Sequence, residues 1–529
     1  MQFIQKTLVV LAFITPLLTQ ASSITQKNNH IEETIKSAMN AFQVPGVAVA
    51  IVKDNNVVMS KGFGVIEHGK KAKVTPDTLF GIASNTKAMT AALLASLVDE
   101  GKLTWRTKVI DIIPEFQMPD PYVTREFTII DLLSHNSGLG LGAGDLMIWP
   151  QTTLTNADVI KGLKHLPQVS SFRSEFAYDN LMYVIAGEII AKLTSMTWQE
   201  AIQTRIFTPL GMKNTRPTFS QIPQSNHNVA RAHVPLEGKL NVVGGNFLEK
   251  FSSAGSVASS VNDMTLWLKA QLNKGVYTST ANKENEESRL FSSEQSRAMW
   301  QARTILPVSE SATAQDKTHF SAYGLGWFLK DYHGVKLIHH SGGILGMVSK
   351  VVVVPEENLA MVILTNQQSG YAFNAIYLQI LNEYLELPAK NWVAYFSDKQ
   401  QARKAKEAAR LAKAVEAVDT NSTHSLPLKS YARVFADNWY GDIQISYKNN
   451  QLNMQFGNTP ELRGVLEHYQ HNTFIVRWHD RSLEADAFVN FHLNEVGDIE
   501  YATMKAVSHA TDFSFDFHDL KLIPVSLIR

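Results

Sequence analysis

The sequence predicts an α+β fold, with helices flanking one antiparallel sheet, followed by a second, small all-β domain. Three features support this prediction. A helix and a strand hairpin open the chain, a series of strands closed by a helix occupies its middle, and short alternating segments fill its C-terminal part. At 529 residues the chain is too long for one ordinary hydrophobic core, so more than one domain is expected.

The N-terminal segment is typical of a secretory signal peptide. Lys6 precedes an apolar run at residues 8–14, and the small residues Thr19 and Ala21 stand where a signal peptidase would read them. We therefore expect a signal peptide over residues 1–21 and an exported protein, either periplasmic or secreted. The apolar run is shorter than the ~20 residues that span a bilayer, so no stable membrane span is expected.

Residues 28–388 contain the elements of the large domain. Ile31, Ile35 and Met39 recur at helical spacing, and a strand hairpin follows them. Strands are predicted at Val47–Val52, Val57–Met59, Tyr323–Leu329, Val335–His339, Met347–Val354 and Leu359–Leu364, and a helix at Ala372–Leu385. Helices at both ends of this domain flank the sheet, which is the α+β arrangement.

The rest of the chain divides into a linker and a small β domain. Residues 389–422 are rich in Ala, Lys, Arg and Glu, which predicts a helical linker acting as a spacer. In residues 423–529, alternating segments separated by turns predict a small antiparallel barrel or sandwich without a catalytic constellation of its own. These segments are Asp442–Tyr447, Gln451–Phe456, Thr473–Trp478, Ala487–Leu493, Tyr501–Ala506 and Asp512–Phe517.

The balance of charges excludes one class of partner. The chain has 49 Lys and Arg residues against 49 Asp and Glu residues, and no basic face is evident in the sequence. A phosphate backbone would find no electrostatic support, so we expect no nucleic-acid partner and instead a small-molecule or peptide substrate. Because the chain has no cysteine, neither a disulfide nor a lipid-bearing thiol can form.

The stretch around Ser84 places a nucleophile beside an amine. A loop of small residues leads from Phe80 to Ser84, and an apolar-rich helical pattern follows Lys87. Residues three apart on a helix share a face, so the Ser84 hydroxyl and the Lys87 amine would point into the same space. An adjacent proton acceptor activates a serine, and a helix N-terminus favours a developing oxyanion. The Ser-x-x-Lys spacing alone is more often that of a solvated helix face. It occurs once in this chain and small residues surround it, which makes the two interpretations about equally well supported.

Two further motifs follow along the chain. Tyr178-x-Asn180 stands at the start of a predicted helix, where side chains can face a cleft. His340–Gly343 lies in the sequence between the predicted strands Val335–His339 and Met347–Val354, and we expect it on an edge strand of the sheet. The two glycines of the last motif would let a substrate backbone approach closely. Each motif is weak alone, since Tyr447-x-Asn449 repeats the first one on a predicted hairpin turn. Their order and spacing carry the information.

Together these motifs resemble the serine β-lactamase and penicillin-binding-protein superfamily, in particular its branch of class C β-lactamases, DD-peptidases, D-aminopeptidases and related esterases. The resemblance covers about residues 30–388 and rests on Phe80–Lys87, Leu132–Leu139, Gly324–Trp327 and His340–Gly343. It implies a β-lactamase/transpeptidase-like sheet flanked by helices. Residues after about Leu426 resemble the small C-terminal β domain, a lipocalin-like barrel or sandwich, that many members of this branch carry.

The resemblance implies roles for the first two motifs. Ser84 would be the acylated nucleophile and Lys87 its activating neighbour. Tyr178 would exchange protons with the serine and the leaving group, and Asn180 would bind the substrate amide and orient Lys87. A tyrosine base needs its pKa lowered from ~10 by about three units, roughly 4 kcal/mol, which one cation at ~4 Å can contribute. The sequence leaves open whether Lys87 or Tyr178 is the base.

The resemblance also implies roles for the third motif. The backbone N–H groups of Ser84 and Gly343 would form the oxyanion hole. His340 and Ser341 would occupy the family's Lys-Thr positions, with His340 among the catalytic residues. Ser341, Gly342 and Gly343 would bind the substrate from the edge of the sheet.

The histidine in this motif departs from the family pattern. A lysine is a permanent cation for a substrate carboxylate, whereas His340 is expected to be only partly charged near pH 7. The departure favours D-amino-acid amides, peptides or small esters as substrates. One alternative is a β-lactamase or DD-carboxypeptidase acting on β-lactams or cell-wall peptides, and a second is a non-catalytic cell-wall-binding protein. No cofactor or metal is implied, and the oligomeric state stays open.

Two other hydrolase classes lack their motifs in this sequence. The Gly-x-Ser-x-Gly elbow of an α/β-hydrolase is absent, and so is the His-Glu-x-x-His pair of a zinc peptidase. A serine hydrolase of the kind resembled above is therefore the prediction that the sequence supports.

Overall fold

The computed structural model describes residues 24–244, 248–278, 287–416 and 418–525. The predicted signal peptide, residues 1–21, lies outside these ranges and stays a prediction. Within them, no helix combines the length and the apolar composition required to cross a membrane.

An eight-stranded sheet forms the centre of the first domain. Its strands are β1 (Gly46–Lys53), β2 (Asn56–Gly64), β3 (Thr304–Leu306), β4 (Ser321–Tyr323), β5 (Phe328–Tyr332), β6 (Val335–Ile344), β7 (Met347–Val354) and β8 (Leu359–Thr365). They lie in the order β2-β1-β8-β7-β6-β5-β4-β3, and every neighbouring pair is antiparallel. The N-terminal hairpin therefore joins the later strands through β8, so both ends of the domain meet within one sheet.

Helices cover both faces of this sheet, as the sequence predicts. The long helices are α1 (residues 24–41), α2 (Thr86–Asp99), α3 (Leu181–Thr194), α4 (Val261–Leu272) and α5 (Gly370–Tyr384). On one face, Ile31 of α1 and Val49 of β1 belong to one core, together with α5. On the other, Ala50 of β1 joins Leu94 and Ile185 in a second core. Successive residues of β1 enter opposite cores because strand side chains alternate.

Shorter elements connect the long ones. Short helices lie at Val109–Ile112, Pro121–Glu126, Ile129–Leu133, Asn156–Gly162, Trp198–Ile202, Thr208–Leu210, Ser252–Gly255, Ser293–Met299 and Glu310–Asp316. Two-stranded pairs join Phe80–Gly81 to Ala258–Ser259, His233–Leu236 to Lys239–Val242, and Val276–Thr278 to Glu287–Arg289. The first of these pairs lies directly before Ser84, and it ties the nucleophile loop to the chain that precedes α4.

The C-terminal domain is a closed antiparallel barrel. Its strands are β9 (Val434–Asp437), β10 (Gly441–Lys448), β11 (Gln451–Phe456), β12 (Arg463–Gln470), β13 (Thr473–Trp478), β14 (Ala487–Leu493), β15 (Ile499–Ala506) and β16 (Lys521–Pro524). Phe456, Phe474, Trp478 and Phe491 are buried inside it. Pairing of β9 with β16 closes the barrel and removes the free edges of a sandwich. Of the two predicted forms, the domain is therefore the barrel.

The helix predicted within residues 389–422 is α6 (Trp392–Glu416), and it packs against both domains. Trp392 belongs to the core beneath α5. Farther along, Glu407 accepts a hydrogen bond from the Ser508 hydroxyl of the barrel at 2.7 Å, and Arg410 donates to the Val507 carbonyl at 2.8 Å. This helix is therefore docked and does not act as the free spacer that its composition predicts.

Two of the predicted strands are wrong. The one at Tyr323–Leu329 is interrupted by a turn, which the Gly324 N–H closes by donating to the Trp327 carbonyl at 2.8 Å. The one at Asp512–Phe517 is a loop, in which the Asp512 carboxylate accepts the Ser514 N–H at 2.9 Å. Short polar side chains compete with strand pairing because they bond to their own backbone. Three strands of the barrel, β9, β12 and β16, are in turn missing from the prediction.

Candidate active site

The turn that carries Ser84 is fixed against the sheet. Ser84 lies in a 3₁₀ turn that runs directly into α2. The Asn85 amide donates to the Ser349 hydroxyl at 2.7 Å, and that hydroxyl donates to the Ile82 carbonyl at 2.7 Å. Ala83 has a φ of +48°, in the left-handed region where a residue with a Cβ is strained. The hydrogen bonds to β7 hold this strained turn and so set the position of the Ser84 hydroxyl.

Lys87 is fully buried beside this hydroxyl. Its Nζ is 3.1 Å from Ser84 Oγ, 2.7 Å from Asn180 Oδ1 and 2.7 Å from the Ala254 carbonyl oxygen. Three acceptors match the three N–H bonds of an ammonium. Burial lowers the pKa of Lys87 to about 7, although nearby carboxyl groups act in the opposite direction. Both the ammonium and the free amine are therefore populated near neutral pH.

Tyr178 faces the same space from the loop before α3. Nζ of Lys87 lies 5.0 Å from the centre of the Tyr178 ring. Burial raises the pKa of Tyr178 well above its ordinary value, and the nearby Ser84 hydroxyl offsets this only in part. Among the described residues, none forms a hydrogen bond of regular geometry with the Tyr178 hydroxyl. The phenol therefore stays protonated, which corrects the lowered pKa considered from the sequence: desolvation outweighs the attraction of one neighbouring cation.

Asn180 links Lys87 to a residue that the sequence analysis missed. Its Oδ1 accepts from Lys87, and its Nδ2 donates to Asp145 Oδ2 at 2.7 Å. Asp145 is fully buried, and burial raises the pKa of its carboxyl to about 7. Four glycines within the stretch Gly138–Gly144 precede it. That composition is a sequence signal for close backbone approach, and it could have marked this loop.

His340 lies in the same site as a neutral imidazole. Its Nδ1 is 2.6 Å from the Ser341 carbonyl oxygen, which can only accept, so Nδ1 carries the proton. Its Nε2 then accepts from the Tyr323 hydroxyl at 3.0 Å. Burial, reinforced by the charge of Lys87, lowers the pKa of His340 to about 3. The partial positive charge expected near pH 7 is therefore wrong, because the ring is enclosed by protein.

The two glycines of the third motif have different surroundings. Strand β6 is an inner strand, and its pairing with β5 ends at His339, so the motif lies where β6 extends past β5 and not on an edge strand. A Cβ at Gly342 would overlap the Ile82 carbonyl oxygen. The absence of a side chain at this position therefore allows the turn that carries Ser84 to pack directly against β6. The substrate-binding role predicted for Gly342 stays a prediction. Ser341 and Gly343 do border the cavity.

Residues of all three motifs border one cavity of about 630 Å³ between the two domains. Residues of the first domain in its wall include Ser84, Tyr178, Asn180, His340, Ser341 and Gly343. Residues of α6 and the barrel include Arg403, Leu483, Glu484, Asp512, Phe513 and Ser514. The tertiary structure thus brings the three predicted motifs together and adds a wall that the sequence analysis did not foresee.

The barrel segment, residues 512–516, forms part of this wall. Its Ser514 hydroxyl donates to Asp145 Oδ2 at 2.7 Å, and its Phe513 ring packs edge to face with the Tyr178 ring at 6.0 Å. Gly142 has a φ of +70°, and a Cβ there would lie 2.7 Å from Phe513. Since 369 residues separate Ser514 from Asp145, no local pattern in the sequence signals this contact.

This arrangement is suited to acyl transfer. A hydroxyl, an amine whose pKa is about 7 and a protonated phenol share one enclosed site. A free amine can take the proton of the hydroxyl, and a phenol with a raised pKa can give a proton to a leaving group. The N-terminus of α2 favours negative charge that develops beside Ser84.

Known proteins resemble this chain over both domains. Residues 31–382 match the family described as beta-lactamase, and residues 417–524 match a domain of unknown function, DUF3471. An unguisins hydrolase of Aspergillus campestris is 28% identical over 406 residues, which cover 72% of this chain and 70% of that protein. Penicillin-binding protein 4 of Amycolatopsis lactamdurans is 28% identical over 373 residues, which cover 67% of this chain and 89% of that protein.

Two solved structures share the fold. The octameric penicillin-binding protein homologue from Pyrococcus abyssi aligns with a TM-score of 0.59 at 19% identity, over 93% of this chain and 99% of that one. The class C beta lactamase from Rhodobacter sphaeroides aligns with a TM-score of 0.52 at 20% identity, over 68% of this chain and 99% of that one. At these identities the likeness establishes the fold alone.

Gly342→Ala should displace the nucleophile turn. The new Cβ would overlap the Ile82 carbonyl, so β6 and the turn must separate; we expect a loss of stability of about 1–3 kcal/mol. Labelling of Ser84 by a phosphonate probe should slow at least about tenfold, because a displaced hydroxyl is no longer aligned with the Lys87 amine. Thermal unfolding and labelling rates measure both effects.

Gly370→Ala is the matched control for this substitution. A Cβ there would lie no closer than 3.7 Å to Phe373, and alanine suits the first turn of α5. Equal labelling rates in the two variants would contradict the role assigned to Gly342.

Proposed function

Since the chain belongs to the beta-lactamase family of serine hydrolases, we propose that it cleaves amide, peptide or ester bonds through an acyl-enzyme on Ser84. The observation that carries this proposal is the 3.1 Å contact between the Lys87 amine and the Ser84 hydroxyl. A solvated helix face, the other interpretation of this spacing, would leave the lysine in water, whereas Lys87 is fully buried.

Lys87 is the proposed general base. Because its pKa is lowered to about 7, the free amine is available at neutral pH, and its lone pair can accept the Ser84 proton. The pKa of Tyr178 is shifted the opposite way, so its phenolate would be scarce. These two shifts favour Lys87 over Tyr178, the alternative that the sequence leaves open.

The proposed reaction has two acyl-transfer steps. Ser84 Oγ attacks the substrate carbonyl carbon while its proton moves to Lys87, and the backbone N–H groups of Ser84 and Gly343 receive the developing oxyanion. The tetrahedral intermediate collapses, the bond to the leaving group breaks, and the Tyr178 phenol hands a proton to that group. Lys87 resupplies the phenol. Water then attacks the acyl-enzyme and releases the product acid by the same proton transfers in reverse.

The charges around the cavity favour substrates without a free carboxylate. His340 is neutral where the family has a lysine, and Glu484 and Asp512 add acidic groups to the wall. We propose D-amino-acid-containing peptides and amides, or small esters, as substrates. The alternative activity, that of a β-lactamase or DD-carboxypeptidase, needs a partner for a substrate carboxylate, and Arg403 in the wall is the side chain that could serve.

Two further predictions from the sequence bear on this proposal. A non-catalytic cell-wall-binding protein is less well supported, because Ser84 keeps a buried amine within hydrogen-bond distance. Export is proposed from the signal peptide at residues 1–21. N-terminal sequencing of protein recovered from the periplasm or the medium tests it, and an intact Met1 would contradict it.

Intact-mass measurement tests the acyl-enzyme. Wild-type protein should gain one adduct from a phosphonate probe, and Ser84→Ala should gain none and lose at least a thousandfold in p-nitrophenyl ester turnover. An adduct that persists in Ser84→Ala would contradict the assignment. D- and L-alanyl-p-nitroanilides, p-nitrophenyl esters and penicillin, assayed together, separate the substrate classes; faster turnover of penicillin than of the others would favour the β-lactamase alternative.

The pH dependence of kcat/KM tests the base. Below its pKa of about 7, Lys87 is an ammonium without a lone pair, so activity should fall as pH drops and reach a plateau above about pH 8. A p-nitrophenyl ester is the substrate of choice, because its leaving group needs no proton. An acid limb far to the alkaline side of pH 7 would instead identify Tyr178 as the base, because burial raises the pKa of its phenol.

Tyr178→Phe should lower kcat for an anilide about 10²- to 10⁴-fold, because the leaving nitrogen loses its proton donor. Tyr447→Phe is the matched control, since Tyr447 lies at the end of β10 with 37% of its surface exposed. Its hydroxyl bonds to Asn450 in the same hairpin. Equal rates in both variants, at equal melting temperatures, would remove Tyr178 from the mechanism.

A further inference from the structure

The barrel reaches the active site through two buried side chains. Ser514 and Asp516 both belong to the barrel segment, residues 512–516. The carboxylate of Asp516 is fully buried and accepts the N–H groups of Gly144 at 2.6 Å and Leu146 at 3.1 Å. These two hydrogen bonds clamp the loop of the first domain on either side of Asp145.

A chain of hydrogen bonds continues from this segment to the amine of Lys87. Ser514 Oγ donates to Asp145 Oδ2 at 2.7 Å, and Asn180 Nδ2 donates to the same oxygen at 2.7 Å. Asn180 Oδ1 in turn accepts from Lys87 Nζ at 2.7 Å. A hydroxyl of the barrel is thus connected to the proposed base by three hydrogen bonds.

We propose that Ser514 and Asp145 are positioning residues for Lys87, and that the C-terminal barrel is therefore a working part of the active site. This inference rests on the proposed role of Lys87 as the base. Both residues act through Asn180, whose amide stands between the Asp145 carboxyl and the lysine.

Asp145 decides which way the Asn180 amide faces. A carboxylate oxygen accepts hydrogen bonds, so Asn180 directs its NH₂ group to Asp145 and its carbonyl oxygen to Lys87. The reversed amide would set two donors, the NH₂ group and the ammonium, against each other. Ser514 donates to the same Asp145 oxygen and fixes it in place. The barrel therefore fixes the amide and, through it, the amine.

Asp145 is also the carboxyl group near Lys87 that is best placed to carry charge. Among the residues that the structure describes, the titratable groups that face Lys87 are Asp145, Asp179, His135, His340, Tyr178 and Tyr183. Burial lowers the pKa values of both imidazoles and raises those of both phenols, so these four groups are neutral. It raises the pKa of Asp179 well above its ordinary value, which disfavours the charged form of that carboxyl.

The ionisation of Asp145 depends on the barrel. Asp512 and Asp516 of the barrel segment and Asp179 of the first domain are the other carboxyl groups near it, and like charges raise a carboxyl pKa. Hydrogen bonds from Ser514 and Asn180 lower the pKa of Asp145, and burial raises it to about 7. Loss of the Ser514 hydroxyl removes one of the two hydrogen bonds that favour the carboxylate.

Both Ser514→Ala and Asp145→Asn should therefore lower the pKa of Lys87, because less negative charge remains to support the ammonium. The acid limb of kcat/KM should move to lower pH, by about one unit in Asp145→Asn and by less in Ser514→Ala. The plateau of kcat/KM should fall about tenfold in both variants, since the Asn180 amide is no longer held in one orientation.

The experiment uses the full chain in four forms: wild type, Ser514→Ala, Asp145→Asn and Ser508→Ala. Ser508 is the matched control, because its hydroxyl bonds to Glu407 of α6 at 2.7 Å and takes no part in the chain to Lys87. For each form we would measure the pH profile of kcat/KM with a p-nitrophenyl ester, the mass of the phosphonate adduct and the melting temperature.

Acid limbs shifted to lower pH in Ser514→Ala and Asp145→Asn, with a wild-type limb in Ser508→Ala, support the inference. Unshifted limbs in Ser514→Ala and Asp145→Asn overturn it, even where plateau and melting temperature fall, because a merely structural contact leaves the pKa of Lys87 in place. Should Asp145→Asn fail to fold, Ser514→Ala decides alone. If the wild-type protein forms no adduct, the proposed function itself is contradicted. If it forms the adduct but the acid limbs of the two variants are unshifted, only the positioning role of Ser514 and Asp145 is contradicted.

Discussion

The burial of the Lys87 amine against the Ser84 hydroxyl is the constraint on which the site depends. A lysine removed from water needs acceptors, and Ser84, Asn180 and the Ala254 carbonyl supply them. Three separate parts of the chain must therefore meet at one nitrogen: the turn before α2, the start of α3 and the short helix at Ser252–Gly255. Removal of the amine from water disfavours its charged form, and this lowers the pKa of Lys87 to about 7.

The second domain extends the same principle to a carboxyl group. Asp145 is buried, and its Oδ2 takes one hydrogen bond from Asn180 and one from Ser514 of the barrel. Hydrogen bonds of Asp516 to the first domain and of α6 to the barrel hold the barrel in the position that this contact requires. The C-terminal barrel resembles a separate module in sequence, but part of it forms the wall of the cavity. Its loop at residues 512–516 borders the cavity, as β6 does.

Features set by neighbours in the chain could be predicted from the sequence. The spacing of Ser84 and Lys87 places both on one turn of helix, Tyr178 and Asn180 stand at a helix start, and alternating segments form β10 to β15, apart from β12. Features set by distant neighbours could not. The charge of His340 depends on its enclosure by protein, and the space at Gly342 is taken by the Ile82 carbonyl, which reaches it from another part of the chain.

The sequence by itself determined the α+β class, the barrel-or-sandwich domain and the residues of the three motifs, because helical spacing, strand alternation and turn residues act over a few positions. Only the tertiary structure decided the electrostatics: a Lys87 amine with a pKa of about 7, a protonated Tyr178, a neutral His340 and a buried carboxyl at Asp145. These follow from which groups lie away from water and beside one another. The loop at residues 512–516 shows the difference, since its composition reads as a strand while its position makes it part of the cavity wall.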